Sequence, residues 1–139
     1  LEPGSNGNTG ARMRVYVDSD ILIWHLRGEP KAARLLRKLA GEPGSELWTG
    51  TLQRAEVVFF MRPDEEPATL SLLSRFRTEA VTQPIVDAAG VLYRRWHPSH
   101  GIDVNDAILA ATVAATGGRI HTQNLKHYPM PDVVVVKGW

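Results

Sequence analysis

Two kinds of block alternate along this chain. Short apolar or β-branched runs cover Arg14 to Val17, Glu46 to Trp48, Ala80 to Thr82, Arg119 to Thr122 and Val133 to Val136, the pattern of buried strands. Between them the apolar positions recur at helical spacing. A first helix is predicted from Asp20 through Ile21, Leu22 and the Trp24 to Leu26 stretch toward Gly28. Pro30 opens a second through Leu35, Leu36, Leu39 and Ala40, stopped by Gly41 and Pro43-Gly44. Thr51 is placed to cap a helix running to Met61, and Pro67 to Phe76 reads helical. Pro84 opens a long helix to about His97, broken at His100-Gly101. A last helix spans Asp103 to Thr116, ended by Gly117-Gly118.

Strands that alternate with helices imply a parallel sheet covered on both faces, hence an α/β protein in layers. In such sheets the functional crevice lies beyond the carboxyl ends of the strands. Asp18 and the trio Thr122, Gln123 and Asn124 sit at two such ends.

Composition narrows the picture. A chain of 139 residues makes one ordinary domain, able to bury roughly two-thirds of its unfolded surface. No apolar run approaches the roughly 18 residues of a membrane span. With no cysteine, disulfides and thiolate chemistry are excluded, and any metal must be held by oxygen or imidazole. The balance of 16 basic and 15 acidic residues gives a formal charge of only +1 and no bulk nucleic-acid signature. Carboxylates gathered in one cleft would nevertheless leave the remaining surface basic and able to attract a polyanion. Residues 1–12, LEPGSNGNTGAR, lack the basic and apolar blocks of a signal peptide. They are expected to be a disordered, expression-derived lead-in, with Met13 the native start.

The carboxylates that interrupt apolar runs carry the candidate chemistry. Asp18 at a strand end could simply bond nearby amides, and Asp20 is a good helix N-cap. Glu56 lies among Ala55, Val57, Val58, Phe59 and Phe60, on a helix expected to be mostly buried, where a carboxylate needs a cation, a metal or hydrogen-bond donors. Arg54 and Arg62 are the ordinary candidates for pairing with it. Asp103 and Asp106 are spaced so that one caps a helix and the other lies one turn inside it.

Four stretches, VDSDILIWHLRGE, LQRAEVVFF, GIDVNDAILAAT and HTQNLKHY, together resemble the PIN domain, specifically the VapC-type toxin ribonucleases of toxin-antitoxin pairs. The likeness covers Met13 to the end. It implies a three-layer α/β/α domain with a central, mainly parallel twisted sheet over 13–139. It implies Mg²⁺- or Mn²⁺-dependent endoribonuclease activity, with Asp18, Glu56 and Asp106 as metal-binding carboxylates. Asn124 falls where many relatives have a fourth acidic residue and joins the catalytic set. Asp20, Asp103 and Thr122 occupy flanking positions suited to outer contacts, and His127 stands where an acidic residue is common. An RNA substrate, a cognate antitoxin, a homodimer and a cytoplasmic location follow from the same likeness.

Two rival readings differ in class. VYVDSD also resembles the entrance of haloacid-dehalogenase-like phosphatases, in which Asp18 would be a nucleophile, but the later motifs of that family have no counterparts here. A catalytically weak PIN interaction module is the other. Arg34, Arg37 and Lys38, or Arg94 and Arg95, could supply a basic flank for RNA. Ile23, Trp24, Leu35 and Leu39 are candidates for an antitoxin groove.

Overall fold

The computed structural model describes residues 12–139, so the expectation for the first 12 residues lies, Arg12 apart, outside the described region. Strands β1 (Met13–Val17), β2 (Ser45–Trp48), β3 (Arg119–Thr122) and β4 (Val134–Lys137) form one sheet in the order β2-β1-β3-β4. All its pairings are parallel. Six α-helices accompany it: α1 (Ser19–Leu26), α2 (Pro30–Ala40), α3 (Thr51–Phe60), α4 (Glu66–Leu73), α5 (Gln83–His100) and α6 (Val104–Thr116).

Side chains of β1 alternate between two cores, as a strand buried on both faces requires. Tyr16 joins Ile120 against α5 and α6, while Val15 and Val17 point the other way against α1, α2 and α4. The result is the expected three-layer α/β/α sandwich. Gly118, at φ 105°, lets β3 come against β1, because a Cβ there would collide with the Arg14 carbonyl. At the end of α5, Gly101 takes the left-handed conformation (φ 65°) and reverses the chain into α6.

Several local expectations are corrected. Ala80 to Thr82 is not a strand. Arg77 instead makes a lone parallel bridge to Trp48, and Thr82 caps α5. Thr51 begins α3 but does not cap it, since Gly50 is the N-cap and the Thr51 hydroxyl donates to the Glu79 carbonyl at 2.7 Å. Helix α1 is capped by Asp18, which leaves Asp20 in the first turn. Helix α3 is not mostly buried: only Gln53 and Val57 are, while Phe59 and Phe60 are 78% and 83% exposed. Leu39 lies in the core and is unavailable to a partner, whereas Trp24 is exposed and Ile23 and Leu35 are half-buried.

Candidate metal centre

Because β1 and β3 are parallel neighbours, their carboxyl ends meet, and Asp18 donates its backbone N–H to the His121 carbonyl at 3.0 Å. The Asp18 carboxylate is buried at this junction. Its Oδ1 accepts from the Ser19 N–H (2.8 Å), and its Oδ2 accepts from the Thr122 hydroxyl (2.9 Å) and the Tyr128 phenol (3.0 Å). Asp20 turns toward the same strand end, where its Oδ2 accepts from the Gln123 N–H at 2.9 Å. The Thr122 hydroxyl has a single proton and lies closer to Asp18 than to Asp20, from which it stands 3.3 Å. Its oxygen in turn accepts the Asn124 N–H at 3.0 Å, which fixes the loop after β3.

Helix α6 brings Asp106 to the same place. Asp103 and Asp106 form a reciprocal capping box: the Asp103 side chain accepts from the Asp106 N–H at 2.8 Å, and Asp106 Oδ2 accepts from the Asp103 N–H at 3.0 Å. Asp106 is buried, and its Oδ1 lies 3.2 Å from the same Tyr128 phenol that reaches Asp18. His127 Nδ1 stands 3.0 Å from Asp106 Oδ2 and 3.0 Å from the exposed Asn124 amide.

Glu56 approaches from α3. It pairs with neither expected arginine: Arg62 turns to Asp64 and Glu65, and Glu56 Oε1 accepts the Ser19 hydroxyl at 2.8 Å. Ser19 therefore ties Glu56 to Asp18 by giving its hydroxyl to one and its N–H to the other. Gln53, one turn before Glu56, is fully buried and donates to the Asn105 carbonyl at 3.2 Å, joining α3 to the first turn of α6.

Electrostatics set these carboxyls apart. Burial, then the charge of Asp20, pushes Asp18 up to about 7, against the donors Thr122, Tyr128 and Ser19. Burial also raises Asp106 to about 6. The Asp103 N–H works against that rise and the Asp103 charge adds to it. Asp20 is raised by burial too, less so for its bonds to Gln123 and Ile21. Tyr128 is driven well above its usual range by burial and by both acids, so it remains a protonated donor. Among the described residues no Lys or Arg is ion-paired with Asp18, Asp20, Glu56 or Asp106.

These groups fit a hard divalent cation in chemistry: they are oxygen donors, two of them buried and two half-buried, with no Lys or Arg paired to any among the described residues. Among the described residues no three His, Asp or Glu side chains stand close enough to ligate one ion together. The arrangement therefore suits Mg²⁺ or Mn²⁺, which bind one or two carboxylates directly and keep waters toward the rest. Of the residues marked in the sequence, Asp18, Asp20, Asp106 and Thr122 are brought together, and Glu56 joins through Ser19. Asn124 lies at the exposed edge beside His127, and the Asp103 side chain is occupied in capping. Ser19, Gln53 and Tyr128 were not singled out by sequence. Tyr128 lies next to His127 in KHY, but nothing local says that its hydroxyl turns inward to residues so distant along the chain.

Beside Glu56 a groove of about 540 Å³ opens between α1, α3 and α4, lined by Ile23, Leu26, Val57, Phe60, Met61 and Ala68, with Arg27, Arg62, Glu56 and Glu65 among its charged residues.

Comparison with known proteins identifies the family and the fold. A family model described as PIN domain matches residues 15–129. Ribonuclease VapC19 of Mycobacterium tuberculosis (strain ATCC 25618 / H37Rv) is 38% identical over 119 residues, covering 84% of this chain and 94% of the relative. Ribonuclease VapC10 of the same strain is 34% identical over 117 residues, covering 84% and 86%. Among solved structures, VapBC-1 from nontypeable Haemophilus influenzae superposes with a TM-score of 0.73 at 18% identity, covering 91% of this chain and 98% of that one. A toxin-antitoxin complex from Klebsiella pneumoniae gives 0.72 at 22%, covering 90% and 98%. At such identities these two speak for the fold.

Proposed function

The chain belongs to the PIN-domain family, with VapC ribonucleases as its relatives, and on that premise we propose that it is a divalent-metal-dependent endoribonuclease acting as the toxin of a VapBC-type pair. The observation that carries the reading is the meeting of Asp18 and Asp106, two buried carboxyls from different elements, with no Lys or Arg paired to either among the described residues. Asp18 and Asp106 would hold Mg²⁺ or Mn²⁺, with Glu56 and Asp20 facing its waters. The cation, when bound, supplies Lewis acidity toward a phosphodiester and lowers the pKa of water.

The protein's own groups do the rest. Ser19 orients Glu56 and Asp18 together. Thr122 and the Gln123 N–H fix Asp18 and Asp20, so the acceptors are set before substrate arrives. The Asp103 N–H and His127 hold Asp106 Oδ2. Asn124, exposed at the edge, is placed to meet a water or a phosphate oxygen. Hydrolysis then proceeds by attack of water on phosphorus, with no covalent enzyme intermediate. A phosphatase nucleophile at Asp18 is disfavoured, because the chain matches the PIN family and lacks counterparts of the later phosphatase motifs.

The mixed apolar and charged groove beside Glu56 is the proposed seat of the antitoxin, whose bound segment would cover the route to the carboxylates. Several structural neighbours are VapBC complexes, and one is described as bound to a DNA fragment from their promoter. No helix among the described residues is long and apolar enough to cross a membrane, and the cytoplasm is the proposed place of action.

The test is cleavage of a single-stranded RNA pool with Mg²⁺, with chelator, and with Asp106→Asn. Cleavage that needs Mg²⁺ and is lost in the variant is expected. Cleavage that survives in chelator would overturn the metal role, and turnover of a phosphomonoester with an acid-stable mass adduct on Asp18 would favour the phosphatase.

A further inference from the structure

We propose that Tyr128 is a positioning residue of the metal centre, its buried phenol holding Asp18 and Asp106 as a pair poised to receive the cation. The inference rests on the metal-centre reading above and deepens it.

The phenol oxygen lies 3.0 Å from Asp18 Oδ2 and 3.2 Å from Asp106 Oδ1, and the residue is 4% exposed. Asp18 ends β1, Asp106 lies in the first turn of α6, and Tyr128 follows the short 3₁₀ turn Leu125–His127. One hydroxyl thus spans three separate parts of the chain. Two buried carboxyls from separate elements with no donor between them would have nothing to turn their oxygens toward a common point. A phenol can donate to only one of them at a time, so in the metal-free protein it shares its proton within the pair and keeps both oxygens facing one point.

The aromatic ring is held independently of the hydroxyl. It belongs to the buried core cluster that also holds Met130, Val133 and the buried side chains of α6, and the Tyr128 N–H bonds the Leu125 carbonyl at 3.0 Å. The ring therefore stays in place when the oxygen is removed, which makes Tyr128→Phe a clean deletion. Hydrogen bonds from outside the coordination sphere orient ligating carboxylates, and their loss typically weakens metal binding 10- to 100-fold.

The experiment is Mn²⁺ titration calorimetry on the folded wild type, Tyr128→Phe, Asp18→Asn and Asp106→Asn. The expected result is at least a 10-fold weaker affinity for Tyr128→Phe, with its circular dichroism and metal-free melting cooperativity retained. Equal or tighter Mn²⁺ binding by Tyr128→Phe, while the two Asp variants lose it, overturns this proposal and leaves the metal centre standing. Wild-type affinity in all three variants fells both readings. A second measurement needs no variant: with ¹³C-labelled tyrosine rings, Mg²⁺ addition should shift the Tyr128 resonances and leave those of Tyr93 in place. Unmoved Tyr128 resonances at Mg²⁺ saturation also overturn the proposal.

Discussion

Asp103 and Asp106 hold each other across the first turn of α6, each carboxylate accepting the other's backbone N–H. Asp106 is thus both a helix-capping group and a candidate metal ligand, and the worth of the box is read at its other member, Asp103. Asp103→Asn keeps an acceptor and should melt like the wild type. Asp103→Ala should lose about 1 kcal/mol, the usual worth of an N-cap, in urea denaturation without metal. Equal stability of the two variants would mean that the box contributes nothing.

Stability should depend on pH in a way that metal reverses. Asp18, raised to about 7 in the fold, contributes stability that is complete below its ordinary 3.8 and is lost as pH rises through 7. Asp106 acts the same way up to about 6. His121 has the opposite sign: burial, then Arg119, lowers it to about 4, so its contribution is present above 6.5 and is lost as pH falls through 4. From pH 5 to 8 the metal-free protein should therefore lose on the order of a few kcal/mol. Asp18→Asn should flatten that loss and be the more stable protein at pH 8. Mg²⁺, which favours the ionised acids, should restore wild-type stability at pH 8 and not that of the variant. Chemical denaturation across this range reads all three outcomes.

Glu56→Gln should leave the melting temperature near the wild-type value, because a neutral amide oxygen still accepts the Ser19 hydroxyl. Mg²⁺-dependent RNA cleavage should fall at least 100-fold. If cleavage persists at the wild-type rate under chelator-controlled Mg²⁺, Glu56 lies outside the reacting centre.

Asn124→Asp adds a carboxylate beside His127 and Asp106, in a place exposed enough to accept the charge without folding cost. Mn²⁺ affinity should rise several-fold in a calorimetric titration. No change would return Asn124 to the role of a turn residue that precedes the 3₁₀ segment.

Phe60→Asp tests the groove. The side chain is 83% exposed, so the change should cost the isolated protein little stability. Burial of an aspartate against an apolar partner segment is unfavourable, and affinity for the cognate antitoxin should drop at least 10-fold in a pull-down or calorimetric assay while RNA cleavage continues.

The layered α/β architecture was legible because buried strands and amphipathic helices leave different periods in the chain. The Asp103 and Asp106 box was legible because capping is a matter of three residues. Ala80 to Thr82 forms no strand because the chain pairs with the β2 edge only at Arg77 and then turns into α5, which Thr82 caps. The sequence points to Glu56 through the expectation of a buried α3, yet that helix exposes two phenylalanines, and the residue reaches the site through Ser19. Tyr128 and Gln53 carry no signal in the sequence, because their contacts are made between distant segments and leave no local period or spacing to read.

The bond from Tyr128 to Asp18 closes a loop of 110 residues, and β1 finds its β3 partner only in the last quarter of the chain. Contacts so remote in sequence are the costly ones to close and are among the last to form. A stretch of chain that stops short of Arg119 holds β1, β2 and the helices, but it lacks the strand and phenol that complete the carboxylate pair. Completion of the carboxylate pair is thus deferred by topology until β3 and the segment that carries Tyr128 are in hand.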